Sequence, residues 1–205
     1  MYTLCVWGRS PTNSASLKTC VHPHVYIYCL RQDLDILCLT PYPGGAEAIK
    51  KQLCKADDHF YTVRAKNPED TWNVLWWRTN SGSRFKIDIL TPGVLDLPNI
   101  HPDYLIKIDK FPCAPLHLLL FHKLKGWDDR QSSDRLNQRA KVPVDAKDIM
   151  WLLLIASTVY DLDITKKRSY ITNSFRNDSY ERAAKFALKC RESVPFFSCL
   201  LRMSP

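Results

Sequence analysis

The chain has 205 residues, 45% of them hydrophobic and 24% charged, so it can bury one core or two small ones and reads as an ordinary globular protein. No apolar run reaches the roughly 18 residues needed to cross a bilayer. The N-terminus lacks the basic lead and long apolar region of a signal peptide, so no membrane association and a cytoplasmic location are expected. The net charge of +8 favours polyanionic partners or substrates such as nucleotides or RNA, although a Lys/Arg-rich surface would carry the same excess.

In chain order, residues 1–10 read as a strand running into Trp7-Gly8-Arg9-Ser10. Residues 11–30 are expected to be irregular or inserted: Ser, Thr and Asn dominate at first, and the later β-like part is interrupted by Pro23. Residues 31–40 predict a strand that opens on two acids and ends in a turn at Pro41, Pro43, Gly44 and Gly45. A helix is expected over 46–56, then strands over 60–64, 71–78 and 85–90. The turn Asn80-Ser81-Gly82-Ser83 joins the last two as a hairpin, and Trp72, Trp76, Phe85 and Ile87 predict dense packing there. One more short strand is expected over 104–108.

After Pro112 the pattern turns helical. A leucine-rich buried helix is expected over 114–127, a charged loop or exposed helix over 128–142, and a helix over 146–160 with Asp145 as its N-cap. Helices over 178–190 and 195–202 finish the chain. The reading is therefore a mixed α/β domain over 1–110 and a helical domain over 111–205.

The chemistry concentrates in three acids. Side chains alternate along a strand, so Asp33 and Asp35 share one face while Leu34 and Ile36 take the other. Acids are depleted in strands, which makes a D-x-D running into Ile36-Leu37-Cys38-Leu39 unusual, although two surface acids at a strand entrance would look the same. Asp88 lies between Ile87 and Ile89 in an apolar strand, where an acid needs a partner or a metal. Were the two strands neighbours, three carboxylates would converge and raise one another's pKa values. A Mg²⁺ or Mn²⁺ ion relieves that repulsion, since carboxylate oxygens suit both. Two such ions about 4 Å apart can activate an attacking oxygen and stabilise a leaving one. Asp88 is then placed as ligand and base. The eight cysteines show no C-x-x-C pair, and nothing completes a zinc set around Cys20, His22 and His24. No Walker-type glycine loop occurs, and the six histidines have no evident nucleophile partner.

A glycine-serine loop, D-x-D on a strand and a third Asp on a later strand resemble the signature of the nucleotidyltransferase-fold superfamily. The helical half, with Lys123, Arg130 and then Lys147-Asp148-Ile149, is similar to its abortive-infection toxin branch and to uncharacterised fungal proteins of this fold. The resemblance spans roughly residues 31–160. It implies an α/β (α+β, mixed-sheet) nucleotidyltransferase-like domain followed by a small helical domain. It further implies Asp33, Asp35 and Asp88 as catalytic metal ligands, Gly8 and Ser10 in the phosphate loop, and Lys123 with Arg130 on the triphosphate. Lys123 could equally snorkel from a buried helix. Asp148 could pair with Lys123 or Arg130, or serve as a first-turn acid. The loop departs from the family pattern: Arg9 stands between Gly8 and Ser10, and residues 11–30 do not resemble the expected helix.

Three functions follow as expectations. The first is a Mg²⁺- or Mn²⁺-dependent nucleotidyltransferase moving a nucleoside monophosphate from a nucleoside triphosphate, such as ATP, to a hydroxyl of RNA, protein or a small molecule. The second is a catalytically impaired member of the fold acting as a nucleotide-, RNA- or protein-binding module. The third is a basic RNA-binding protein in which the acids are structural.

Overall fold

The structure is a computed structural model and describes residues 5–9, 17–22, 25–29, 33–66, 69–108, 111–160 and 162–201. The chain divides into two compact units, Met1–Ala114 and Pro115–Pro205.

The first unit is built on β1 (Cys5–Arg9), β4 (Asp33–Leu37), β5 (Phe60–Arg64), β6 (Asn73–Arg78) and β7 (Arg84–Leu90), which form one sheet in the order β1-β4-β7-β6-β5. Its joins are antiparallel except for β4 with β7, which run parallel. Parallel neighbours need a long crossover, here supplied by helix α1 (Gly45–Ala56) followed by β5 and β6. Between β1 and β4, β2 (Leu17–His22) and β3 (Val25–Cys29) pair as a separate antiparallel ribbon. The stretch expected to be irregular thus contains a strand pair and no helix among its described residues. A third small sheet pairs β8 (Ile106–Ile108) with β9 (Phe111–Cys113).

Alternation sorts the central strands into two faces. Leu34, Ile36, Leu75, Ile87 and Ile89 point to α1 and pack with its Ile49 and Leu53 and with Phe60 and Trp77. Leu75 and Ile87 are essentially sealed from water, which contributes about 2 kcal/mol each. The turn into α1 forms as expected: Gly44 and Gly45 both take left-handed backbone, with φ 80° and 63°. A Cβ at Gly44 would meet Ala48 Cβ at 2.9 Å, so glycine is required there sterically as well. Lys50 locks α1 to the start of β6, its ammonium donating to Glu47 Oε1 and to the Asn73 carbonyl, each at 2.5 Å. Trp72, expected in dense packing, precedes β6 and is exposed, with the Lys50 ammonium 5.9 Å from its ring centre.

The second unit comprises α2 (Leu116–Gln131), the single turn α3 (Leu136–Arg139), α4 (Val142–Thr158), α5 (Asn173–Lys189) and α6 (Val194–Leu200). Leu118, Leu120, Phe121 and Leu124 of α2, Ile149 and Leu153 of α4 and Phe186 of α5 are fully buried. The leucine helix runs four residues past its expected end. Lys125 bridges to Asp129 across one turn, and Lys185 of α5 holds Asp128, both at 3.1 Å, so the charged last turn is stabilised by one local pair and by one partner on another helix that the local pattern does not show. Asp145 corrects the expected N-cap of the next helix. That helix starts earlier, at Val142, and Asp145 lies inside its first turn, fully buried, accepting from Arg130 Nη1.

His117 in α2 is buried beside Tyr170, its Nε2 2.8 Å from the phenol oxygen. Burial, aided by the positive charge of Arg168, lowers its pKa to about 4. The unfolded ring titrates near 6.5, so below that pH the unfolded chain takes up a proton that the folded chain refuses. Stability is therefore full above pH 6.5 and falls by up to about 3 kcal/mol as the pH drops to 4. Urea unfolding across this range should show the loss in wild type, and His117→Gln should flatten it.

No helix among the described residues is long and apolar enough to cross a membrane.

Candidate active site

The register of the parallel pair builds the site. Asp35 of β4 lies directly beside Asp88 of β7, and Asp33 lies beside Lys86. Paired residues of adjacent parallel strands project to the same side about 5 Å apart. Asp35 and Asp88 therefore share the sheet face opposite α1, the one Leu34, Ile36, Ile87 and Ile89 leave. Both are half-buried. The sequence puts the acids there because each follows and precedes an apolar residue that must face the core.

A cation already stands on this face. Lys86, two residues before Asp88 and so on its side of the strand, donates to Asp88 Oδ2 at 2.5 Å. The Lys86 and Asp88 side chains are 31% and 40% exposed, so the pair is solvated and adds little stability. Its value lies in balancing two carboxylates brought to one register position. Lys86 was not singled out from the sequence, although its spacing of two from Asp88 was the available signal. Trp76 of β6 is the cross-strand neighbour of Lys86 and gives this face an aromatic wall.

Asp33 has its backbone in β4, beside Arg9 of β1 as well as Lys86, while its side chain lies outside the described residues. Among the described residues no three His, Cys, Asp or Glu side chains form a metal-binding group. The donor chemistry nonetheless suits a hard divalent cation, with carboxylate oxygens on two neighbouring strands, although such an ion would have to displace the Lys86 ammonium from Asp88. Gly8 lies within β1, paired with Leu34, and Ser10 lies outside the described residues.

The two basic residues of the resemblance belong to the helical unit and are engaged there. Lys123 Nζ donates to Asp148 Oδ2 at 2.9 Å, one of the pairings left open by the sequence. Arg130 holds the buried Asp145 and also donates through Nε to Gln138 Oε1 at 3.2 Å. Both ion pairs join α2 to α4.

No protein-family model matches the chain, and no curated protein matches it. Among solved structures, an antigenic nucleotidyltransferase-like protein from Paracoccidioides brasiliensis superposes with a TM-score of 0.52 at 13% identity, covering 82% of this chain and 75% of that one. A protein from H. pylori assigned as a nucleotidyltransferase aligns over 86% of this chain and 82% of that one, at 10% identity and a TM-score of 0.31, too low to carry weight. Five strands in mixed order, a parallel pair bearing two facing acids and the first of these superpositions together identify the fold of this chain as nucleotidyltransferase-like.

Proposed function

We propose that the chain is a metal-dependent nucleotidyltransferase that moves a nucleoside monophosphate from a nucleoside triphosphate to a hydroxyl acceptor, with RNA or protein as the acceptor classes. The observation that carries this reading is the register of β4 and β7, which sets Asp35 beside Asp88 with Asp33 two residues earlier on the same strand. A divalent cation, Mg²⁺ or Mn²⁺, would neutralise charge on the phosphates at that position. Asp33, Asp35 and Asp88 are the residues that would hold it. Asp88 would orient the acceptor hydroxyl and take its proton. Lys86 would exchange its partner from Asp88 to phosphate oxygen when substrate enters. The reading uses neither Lys123 nor Arg130, since each balances a carboxylate of its own unit. The reading places the site of action in the cytoplasm, where thiols stay reduced.

A second reading, an impaired member of the fold that binds without turnover, is favoured by one feature. Where the resemblance expects a helix after the glycine-serine loop, the described residues form the β2–β3 ribbon. Titration calorimetry of ATP and GTP, with and without Mg²⁺, separates the two. Metal-dependent binding in wild type that disappears in Asp33→Asn/Asp35→Asn is the expected result. Binding indifferent to metal and to those substitutions would replace the first reading with the second.

A further inference from the structure

The positive charge of the chain is unevenly placed. In Pro115–Pro205, sixteen Lys and Arg stand against ten Asp and Glu, a net of six of the eight excess charges. Most cations on the inner helices of this unit have carboxylate partners: Lys123 has Asp148, Lys125 has Asp129, Arg130 has Asp145, and Arg182 and Lys185 share Asp128. The segment leading into α5 is different. Lys166, Lys167, Arg168 and Arg176 fall within eleven residues, and none of them makes an ion pair among the described residues.

Three of the four, Lys167, Arg168 and Arg176, line a cavity of about 320 Å³ together with Ser169, Thr172 and Asn173. No acid lines it. The guanidinium groups are oriented by neutral acceptors: Arg168 Nη1 donates to the Lys166 carbonyl at 3.0 Å, and Arg176 Nη2 donates to Asn173 Oδ1 at 2.9 Å. Each has further N–H donors without a protein partner among the described residues. Like charges held this close repel in the free protein, and an anion in the cavity relieves that repulsion. Guanidinium forks with adjacent hydroxyls match phosphate oxygens. Ile171 also lines the cavity but is buried, so the exposed lining is polar, which disfavours insertion into a lipid surface.

We propose that this cavity is a docking site for backbone phosphates of a nucleic acid, single-stranded RNA being the form tested. The excess charge of the unit extends the attraction beyond the single phosphate that the cavity holds. Docking here requires neither metal nor nucleoside triphosphate, so it stands or falls apart from the carboxylate site. The loop is anchored from beneath by Tyr170 on His117, which gives a local reporter.

The test is fluorescence anisotropy with a labelled single-stranded RNA of about 20 nucleotides, metal-free, across a range of salt. Wild type should bind with a steep salt dependence. Lys166→Ala/Lys167→Ala/Arg176→Ala should lose affinity about tenfold or more at low salt and reduce the salt slope by about 2, at roughly 0.7 per lost phosphate contact on a single strand. The His117 ring resonance should shift on RNA addition in wild type only. A control removing equal charge elsewhere, Lys51→Ala/Lys55→Ala/Lys107→Ala, should bind nearly as wild type does. The proposal is overturned if wild type fails to bind RNA or if the two triple variants lose affinity equally. It is overturned as well if the cavity variant loses binding only to inorganic phosphate or to anionic vesicles.

Discussion

Asp88→Asn should lower nucleotidyl transfer about 1,000-fold while leaving the protein folded. The amide keeps the size of the carboxylate but loses its charge, its ability to hold a divalent cation and its capacity to accept a proton. A positioned general base alone is worth about 100- to 10,000-fold. The effect on stability should be small, because Asp88 and Lys86 are both substantially exposed and such pairs contribute at most about 1 kcal/mol. Removing Asp88 even eases the crowding with Asp35 at the shared register position. Incorporation of labelled nucleotide, measured beside thermal unfolding of the same preparation, checks both halves. Equal activity in wild type and variant would exclude Asp88 from the chemistry. Unfolding of the variant would mean that the acid is structural.

Arg130→Met should be the more damaging substitution for stability, by about 3–5 kcal/mol. Asp145 is fully buried and accepts from Arg130 Nη1, so the variant leaves a buried carboxylate without the cation opposite it. Replacing both members, as Arg130→Met/Asp145→Leu, should recover much of the loss, because apolar side chains can fill the same space without a desolvation cost. Urea unfolding of the two single variants and the double measures the coupling directly. A large coupling assigns Arg130 to the α2–α4 joint. A small one, with weakened triphosphate binding, would restore the nucleotide role that the family resemblance implies.

The contrast between these residues shows what one chain discloses before it folds. The strands bearing the acids were legible because alternation is local: Asp35 and Asp88 each sit between apolar neighbours, and both segments form strands as read. The α/β class and the nucleotidyltransferase-like fold followed from the same motifs. Register was not legible, since the partner of Asp35 lies about fifty residues downstream and nothing near Asp35 names it. Asp145 misled for a related reason. Pro143-Val144-Asp145 is a sound helix-start pattern, but the tertiary partner Arg130, on another helix, draws the acid inside. Lys166-Lys167-Arg168 was not singled out from the sequence, and its lack of carboxylate partners among the described residues is a property of three-dimensional placement. For Ser10 and the side chain of Asp33 the expectation stands untested, as both lie outside the described residues.

The parallel join of β4 and β7 also bears on how the molecule assembles. β5, β6 and β7 are sequential antiparallel neighbours, so they can zip up through short loops. Closing β4 onto β7 must instead bring together segments separated by α1 and that whole meander, which delays the gain until a large loop is ordered. It must do so while pressing two carboxylates side by side. The centre of the sheet is thus the slow, electrostatically opposed step, and Lys86, paired with Asp88, is a cation of β7 placed to ease it. An ion that binds only the closed pair would pull the folding equilibrium forward by mass action.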